Sequence, residues 1–154
     1  MKKEWVKAIT SLIIISIVIL TITIIFLENR IMFGLFFLIL GIVLLLLMKL
    51  FRVKIKAVYS DLTFGFIDES LLVIASTIGG LNAGVVGAIV GGVTGNVIAD
   101  GISGLFEGNM AERMKKHHIK EDRTAFATML GKITGCLIGA GIILILIWTI
   151  RIFL

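Results

Sequence analysis

A chain of 154 residues with 58% hydrophobic side chains and a mean hydropathy of +1.13 is too apolar for a soluble domain, where the apolar share is about 45–50%. The net charge of +5 does not point to nucleic acid, because the basic residues gather beside the apolar runs rather than along one amphipathic face. The single cysteine, Cys136, excludes an internal disulfide framework, and no spacing of Cys and His fits a zinc site.

The length accommodates about five spans at roughly 20 residues each. The first apolar run predicts a helix over residues 5–27. It is too long for a signal-peptide core and lacks a small-residue cleavage site, so a retained helix is expected. A short turn at Glu28, Asn29 and Arg30 leads into a second predicted helix, 31–50. Both are nearly pure Ile, Leu, Val and Phe, which suggests lipid-facing or supporting roles. A basic segment follows, with Lys49, Arg52, Lys54 and Lys56. The third helix is predicted over 62–80 and the fourth over 83–106, joined by a tight turn at Leu81 and Asn82. A charged cytoplasmic loop, 107–124, then leads to a fifth helix over 125–148. The expectation is an all-α integral membrane protein, with residues 1–154 forming one membrane domain.

Twelve of the fifteen Lys and Arg residues lie in the amino-terminal segment and in the segments after the second and fourth helices, while only Arg30 and Arg151 flank the other side. Cationic flanks stay in the cytoplasm. The amino terminus is therefore expected inside and the carboxyl terminus outside, in a membrane taken to be a prokaryotic plasma membrane.

The last three helices differ in kind from the first two. Ala83, Gly87, Gly91, Gly95, Ala99 and Ser103 recur every four residues in the fourth, and Ala127, Gly131, Gly135 and Gly139 do the same in the fifth. Small residues at that spacing let backbones approach closely inside a membrane. The working core is therefore expected in the last three helices.

Asp68, Asp100 and Lys132 interrupt those apolar stretches, and charges in hydrocarbon are costly enough to be rare. Each lies about six or seven residues from the cytoplasmic end of its helix, so helix rise of 1.5 Å per residue sets all three near one level. Asn96, Asp100, Ser103 and Glu107 form a polar stripe at helical spacing. Asp61 precedes Asp68 by seven residues, and Glu69 adjoins it on another face. The oxygens suit a hard divalent cation, with carboxylate protonation coupling protons to transport. The same residues also suit a structural ion-pair network, in which Lys132 supplies the countercharge. Residue chemistry alone leaves both readings standing.

Other candidates are weaker. His117 and His118 sit among lysines in the charged loop, where solvation explains them. Met110 and Met114, near Glu107 and Glu112, suggest either a soft-and-hard metal approach or, more simply, an amphipathic extension of the fourth helix. Cys136 reads as a small packing residue. The glycines from Gly84 to Gly95 follow no strand, so they are no dinucleotide loop. With no nucleophile–base pair or nucleotide motif, an enzyme is not expected.

The run Ser60-Asp61-Leu62-Thr63-Phe64-Gly65-Phe66-Ile67-Asp68-Glu69-Ser70-Leu71 and the run Asn96-Val97-Ile98-Ala99-Asp100-Gly101-Ile102-Ser103 resemble the first two helices of the vacuolar iron transporter family. That family carries Asp, Phe-Gly and Asn-Asp-Gly-Leu in the first helix and Ala-Asp-Gly-x-Ser in the second. The resemblance covers roughly residues 60–112. It implies proton-coupled export of Fe²⁺ and similar ions from the cytoplasm through a homodimer with the pore between protomers. Asp68 would then be the pore carboxylate of the first family helix, with Asp100 and Ser103 in the second. The chain departs from the family by lacking the methionine after Ser103, by Glu69 in place of glycine, and by the absence of a long glutamate-rich insert. Two helices precede the motif pair and one follows it, where the family has three following.

The expected function is thus proton-coupled transport of divalent metal (Fe²⁺ or Mn²⁺) by a homodimer in the lipid bilayer, with no permanently bound cofactor. Asp68, Asp100, Asn96 and Ser103 would form the site. Glu69 and Glu107 would lie towards the cytoplasm, and Lys132 and Asp61 would serve coupling or ion pairing. The alternative is a non-transporting scaffold or accessory subunit. A small-molecule exporter would need an aromatic-lined cavity, and the one aromatic cluster evident in the sequence, Phe33, Phe36 and Phe37, falls among lipid-facing residues.

Overall fold

The computed structural model describes residues 2–29, 33–116 and 124–153. They form four helices: α1 (Lys2–Asn29), α2 (Phe33–Leu50), α3 (Tyr59–Lys116) and α4 (Ala125–Phe153), with a short 3₁₀ turn at Ile55–Ala57 before α3. All four are long and apolar enough to cross a membrane.

The helix α3 is two legs. Its helical dihedrals break at Ala83 (φ −139°) and Gly84 (φ 60°, ψ −141°), a conformation that glycine alone adopts without strain. The turn therefore falls two residues later than expected, and Asn82 remains helical, its side-chain amide donating to the Ile78 carbonyl at 2.7 Å. Beyond the turn the chain runs back along itself. Gly87 lies against Gly79, Gly91 against Ala75, and Gly95 against Leu71, which defines an antiparallel pair in fixed register.

The second leg continues to Lys116, ten residues past the expected boundary. Its extension is rich in Met, Ala, Glu, Arg and Lys, all good helix formers, so the first half of the expected charged loop is helical. Residues 117–123, including His117 and His118, lie outside the described residues.

The helix α4 is the hub. It packs on α2 through Gly34, Gly41 and Gly141, each facing the other helix's backbone or Cβ atoms, in antiparallel register. On its other side Gly131, Gly135 and Gly139 face Val58, Leu62 and Phe66 in turn, so α4 runs parallel to the first leg of α3. Thr124 caps its start, accepting at Oγ1 from the Ala127 N–H at 3.2 Å. At the end rich in basic residues, Ala8, Met48, Val58, Phe126, Ala127 and Leu130 form a buried cluster joining α1, α2, the start of α3, and α4. Phe51 meets Phe126 edge-on at 5.7 Å, and the Lys7 ammonium covers the Phe126 ring at 4.5 Å. The helix α2 ends in a left-handed Arg52 (φ 57°). There the Val53 N–H bonds the Met48 carbonyl and the Arg52 N–H bonds the Lys49 carbonyl, the double closure of a Schellman stop.

Of the two roles expected for the second helix, lipid-facing or supporting, α2 takes the supporting one as a packing partner of α4. One expectation is revised. The packed core also draws on α1 and α2, so it is not confined to the last three helices.

Candidate functional site

The hairpin register determines what meets what. Continuing the pairs Gly87–Gly79, Gly91–Ala75 and Gly95–Leu71 towards the basic end puts Ser103 opposite Thr63, and Asp100 within two residues of the level of Asp68, about 3 Å of rise. Asp68 lies within electrostatic reach of both Asp100 and Lys132. The Lys132 carbonyl packs against Gly65, and its Cα lies between the levels where Gly131 faces Val58 and Gly135 faces Leu62, about two turns below Asp68; its ammonium rests over the Phe64 ring at 4.0 Å. Three separate helical segments thus set Asp100 and Lys132 within reach of Asp68, with the lysine backbone about two turns lower than predicted.

The expected stripe on the second leg divides in two. Asn96 donates to an Asp100 carboxylate oxygen at 3.2 Å, and Asp100 is exposed on the outer face of the leg. Ser103 instead turns inward and is only 3% exposed. An offset of three residues swings a side chain by about 300° rather than a full turn, enough to move Ser103 onto the seam. The side chain of Glu107 lies outside the described residues. Glu69 is half-buried beside Asp68. Asp61 is buried, 2% exposed, with its Cβ 2.9 Å from where a Gly131 Cβ would sit.

Two polar atoms of this region, Asp68 Oδ1 and Ser103 Oγ, are buried with no hydrogen-bond partner among the described residues. Such groups are uncommon in folded proteins, because burying them unpaired is costly. Among the described residues, no three His, Cys, Asp or Glu side chains converge as a metal-holding group. The region thus holds carboxylates and neutral oxygens, and Asp100 and Asn96 point away from the packed core.

Between the two legs, on the basic side of Asp68, lies a cavity of about 180 Å³ lined by Tyr59, Thr63, Phe64, Ile67, Ser103 and Phe106. Sequence reasoning singled out only Ser103 from this set. The signal was faint but present: Tyr59, Thr63 and Ile67 fall four apart, as do Ser60 and Phe64, which stripes one flank of the leg with hydroxyls and rings. Which residue of the second leg would face them depended on the hairpin register, and that follows from Gly84.

The chain matches no protein-family model, no curated protein and no solved structure.

Proposed function

We propose that this chain crosses a prokaryotic plasma membrane five times, with its amino terminus inside, and exports divalent metal ions of the Fe²⁺ or Mn²⁺ kind in exchange for protons. The hairpin legs count as two spans. The observation that carries the reading is the meeting of Asp68 and Asp100 with Lys132, inside apolar helices, with one Asp68 oxygen left without a donor. Intramembrane carboxylates that keep company with a single cation are the groups from which ion paths are built.

A hard divalent ion takes six or more oxygens around one point, and one protomer does not gather its own there, because Ser103 turns inward while Asp100 and Asn96 face outward. Asp100 and Asn96 face outward beside Val93, Val97 and Ile98, an apolar surface. A second copy laid on that face would bring its own Asp100 and Asn96 and complete the shell, so the working unit is a homodimer with the ion between protomers. In the ion-free state Lys132 balances the carboxylates. Protonation of Asp68 or Asp100 releases the ion.

The test is uptake of Fe²⁺ and Mn²⁺ into proteoliposomes under a pH gradient, native chain against Asp68→Asn. Gradient-dependent flux that disappears in the variant is the expected result. A native protein, correctly folded and inserted, that carries no flux refutes the proposal.

A second reading has its own observation. Lys132 already supplies a countercharge to Asp68, and the described residues of one protomer hold no three-donor group. On that reading the charges are structural, and the chain is a membrane scaffold or accessory subunit.

A further inference from the structure

The connector between α2 and α3, residues 51–58, is short and fixed at both ends. Met48 just before it and Val58 at its close are wholly buried in the cluster at the basic end. Its backbone is tied between them. The Schellman stop at Arg52 comes first, and then the Ala57 N–H bonds the Lys54 carbonyl at 2.9 Å and the Val58 N–H bonds the Ile55 carbonyl at 3.2 Å. Along this frame Arg52, Lys54 and Lys56 are exposed, while Val53, Ile55 and Ala57 between them are half-buried. Lys49 is exposed three residues before Arg52. The Lys7 ammonium lies over the same Phe126 ring that Phe51 meets, so α1 brings one more cation to the start of the connector.

No acid offsets this group from within the segment. No Asp or Glu stands between Glu28 and Asp61, and Asp61 is buried. Retention of cationic flanks in the cytoplasm explains the sign of the charge, but a loose loop would serve that purpose equally. Like charges held close on a tied backbone repel one another, and a shared anion relieves that repulsion. Four residues separate Arg52 from Lys56, at most about 14 Å of chain, and part of that is 3₁₀ turn. Side chains as long as Arg and Lys reach one phosphate across such a span, and the Arg fork matches phosphate geometry.

The flanks choose among anions. Leu50 is 73% exposed and Tyr59 64% exposed, one on each side of the cations. A free phosphate or an acidic peptide would use the charges and leave these side chains in water. A phospholipid uses both, since its phosphate sits where its acyl chains begin, at the level that aromatic side chains favour.

We infer that the connector between α2 and α3 holds an anionic phospholipid, with the headgroup phosphate on Arg52, Lys54 and Lys56 and the acyl chains against Leu50 and Tyr59. The site rests on insertion of the helices with the basic end at an anionic leaflet, and it does not depend on metal transport.

The experiment is native mass spectrometry of the full chain in neutral detergent micelles, titrated with phosphatidylglycerol and, separately, with phosphatidylcholine. Saturable retention of phosphatidylglycerol is expected, with phosphatidylcholine weaker by about tenfold or more. Arg52→Gln combined with Lys54→Gln should weaken retention by about fivefold per charge removed. Lys115→Gln combined with Lys116→Gln makes the same change of charge on the extension of the second leg. The hairpin register puts Lys115 eight residues past the level of Tyr59, about 12 Å. That exceeds a Debye length of about 8 Å, so this pair should shift retention by no more than about twofold. Equal retention of the two lipids overturns the proposal. So does equal weakening by the two double variants, since the cations would then act only as general charge on that side. Binding of inorganic phosphate by a chain that retains neither lipid also overturns it. If circular dichroism shows the first double variant unfolded, Lys56→Gln against Lys116→Gln carries the same comparison beyond the Arg52 turn. A chain that exports metal yet shows no lipid preference loses this site alone, and one that prefers phosphatidylglycerol without metal flux keeps it.

Discussion

Gly139→Ala probes the seam on which the fold depends. A Cβ at this position would lie 2.6 Å from the Phe66 carbonyl oxygen, 3.0 Å from Ser70 Oγ and 3.1 Å from Phe66 Cα. Carbon–oxygen contact begins near 3.3 Å, so α4 and the first leg must part by roughly 0.7 Å. A gap of that size forfeits about a third of the dispersion energy of the atoms facing across it. If the seam carries as many atom pairs as one buried leucine, roughly 40–60 at about 0.15 kcal/mol each, the loss is about 2–3 kcal/mol. Lipid offers no hydrophobic compensation, because tails are as apolar as the helices. Alanine's better helix propensity returns up to about 1 kcal/mol. Gly108→Ala isolates that gain, since nothing lies within 4 Å of its would-be Cβ. The measurement is unfolding by sodium dodecyl sulfate in mixed micelles, followed by far-ultraviolet circular dichroism. Gly139→Ala should unfold at a lower detergent fraction than native, and Gly108→Ala at the same or a higher one. If Gly139→Ala unfolds with Gly108→Ala, the close approach of these helices is not what holds them.

Gly84→Ala meets no atom within 4 Å yet must hold φ at 60°, so the same assay should show a loss of about 1–3 kcal/mol relative to Gly108→Ala, arising from backbone strain alone. Phe126→Ala empties the centre of the cluster at the basic end, where the side chain is 5% exposed, and should cost about 3–5 kcal/mol in that unfolding measurement. Under the transport proposal, Lys132→Met leaves a folded dimer by size-exclusion chromatography and tightens Mn²⁺ binding by about tenfold or more. Unit charges 4–6 Å apart at an effective dielectric near 20 interact by about 3–4 kcal/mol, of which screening leaves a part. Loss of the dimer in that variant would instead favour the scaffold.

The four-residue periodicity of small side chains was directly readable, because it reports a backbone requirement. Gly87, Gly91, Gly95, Ala99 and Ser103 all face the first leg, and Ala127, Gly131, Gly135 and Gly139 line the buried side of α4. Gly34 and Gly41 escaped notice because they lie seven apart in a run of Leu, Ile and Phe, where a packing face and a lipid face look alike. The convergence of Asp68, Asp100 and Lys132 followed from helix rise alone. The inward turn of Ser103 did not, because a stripe predicted from spacing has no way to tell which of its members crosses onto the seam. The cavity was hidden for a related reason. It exists only where Thr63 stands opposite Ser103, and that pairing depends on a turn at Gly84 that lies two residues from where the sequence suggested it.

That turn also bears on how the protein is made. In a five-span arrangement, two residues cannot hold a second leg in water while the first settles across the bilayer. The two legs must leave the insertion machinery together, as one hairpin already paired along its glycines. The stretch from Tyr59 to Phe106 has a mean hydropathy of 1.8, against 2.8 for Trp5–Ile25, so under that proposal mutual pairing would shelter Asp68 and the backbone during the least favourable insertion step in the chain. Substitutions on the hairpin seam should therefore register first in biogenesis, as protein missing from the membrane fraction, before any change in a folded molecule is there to be measured.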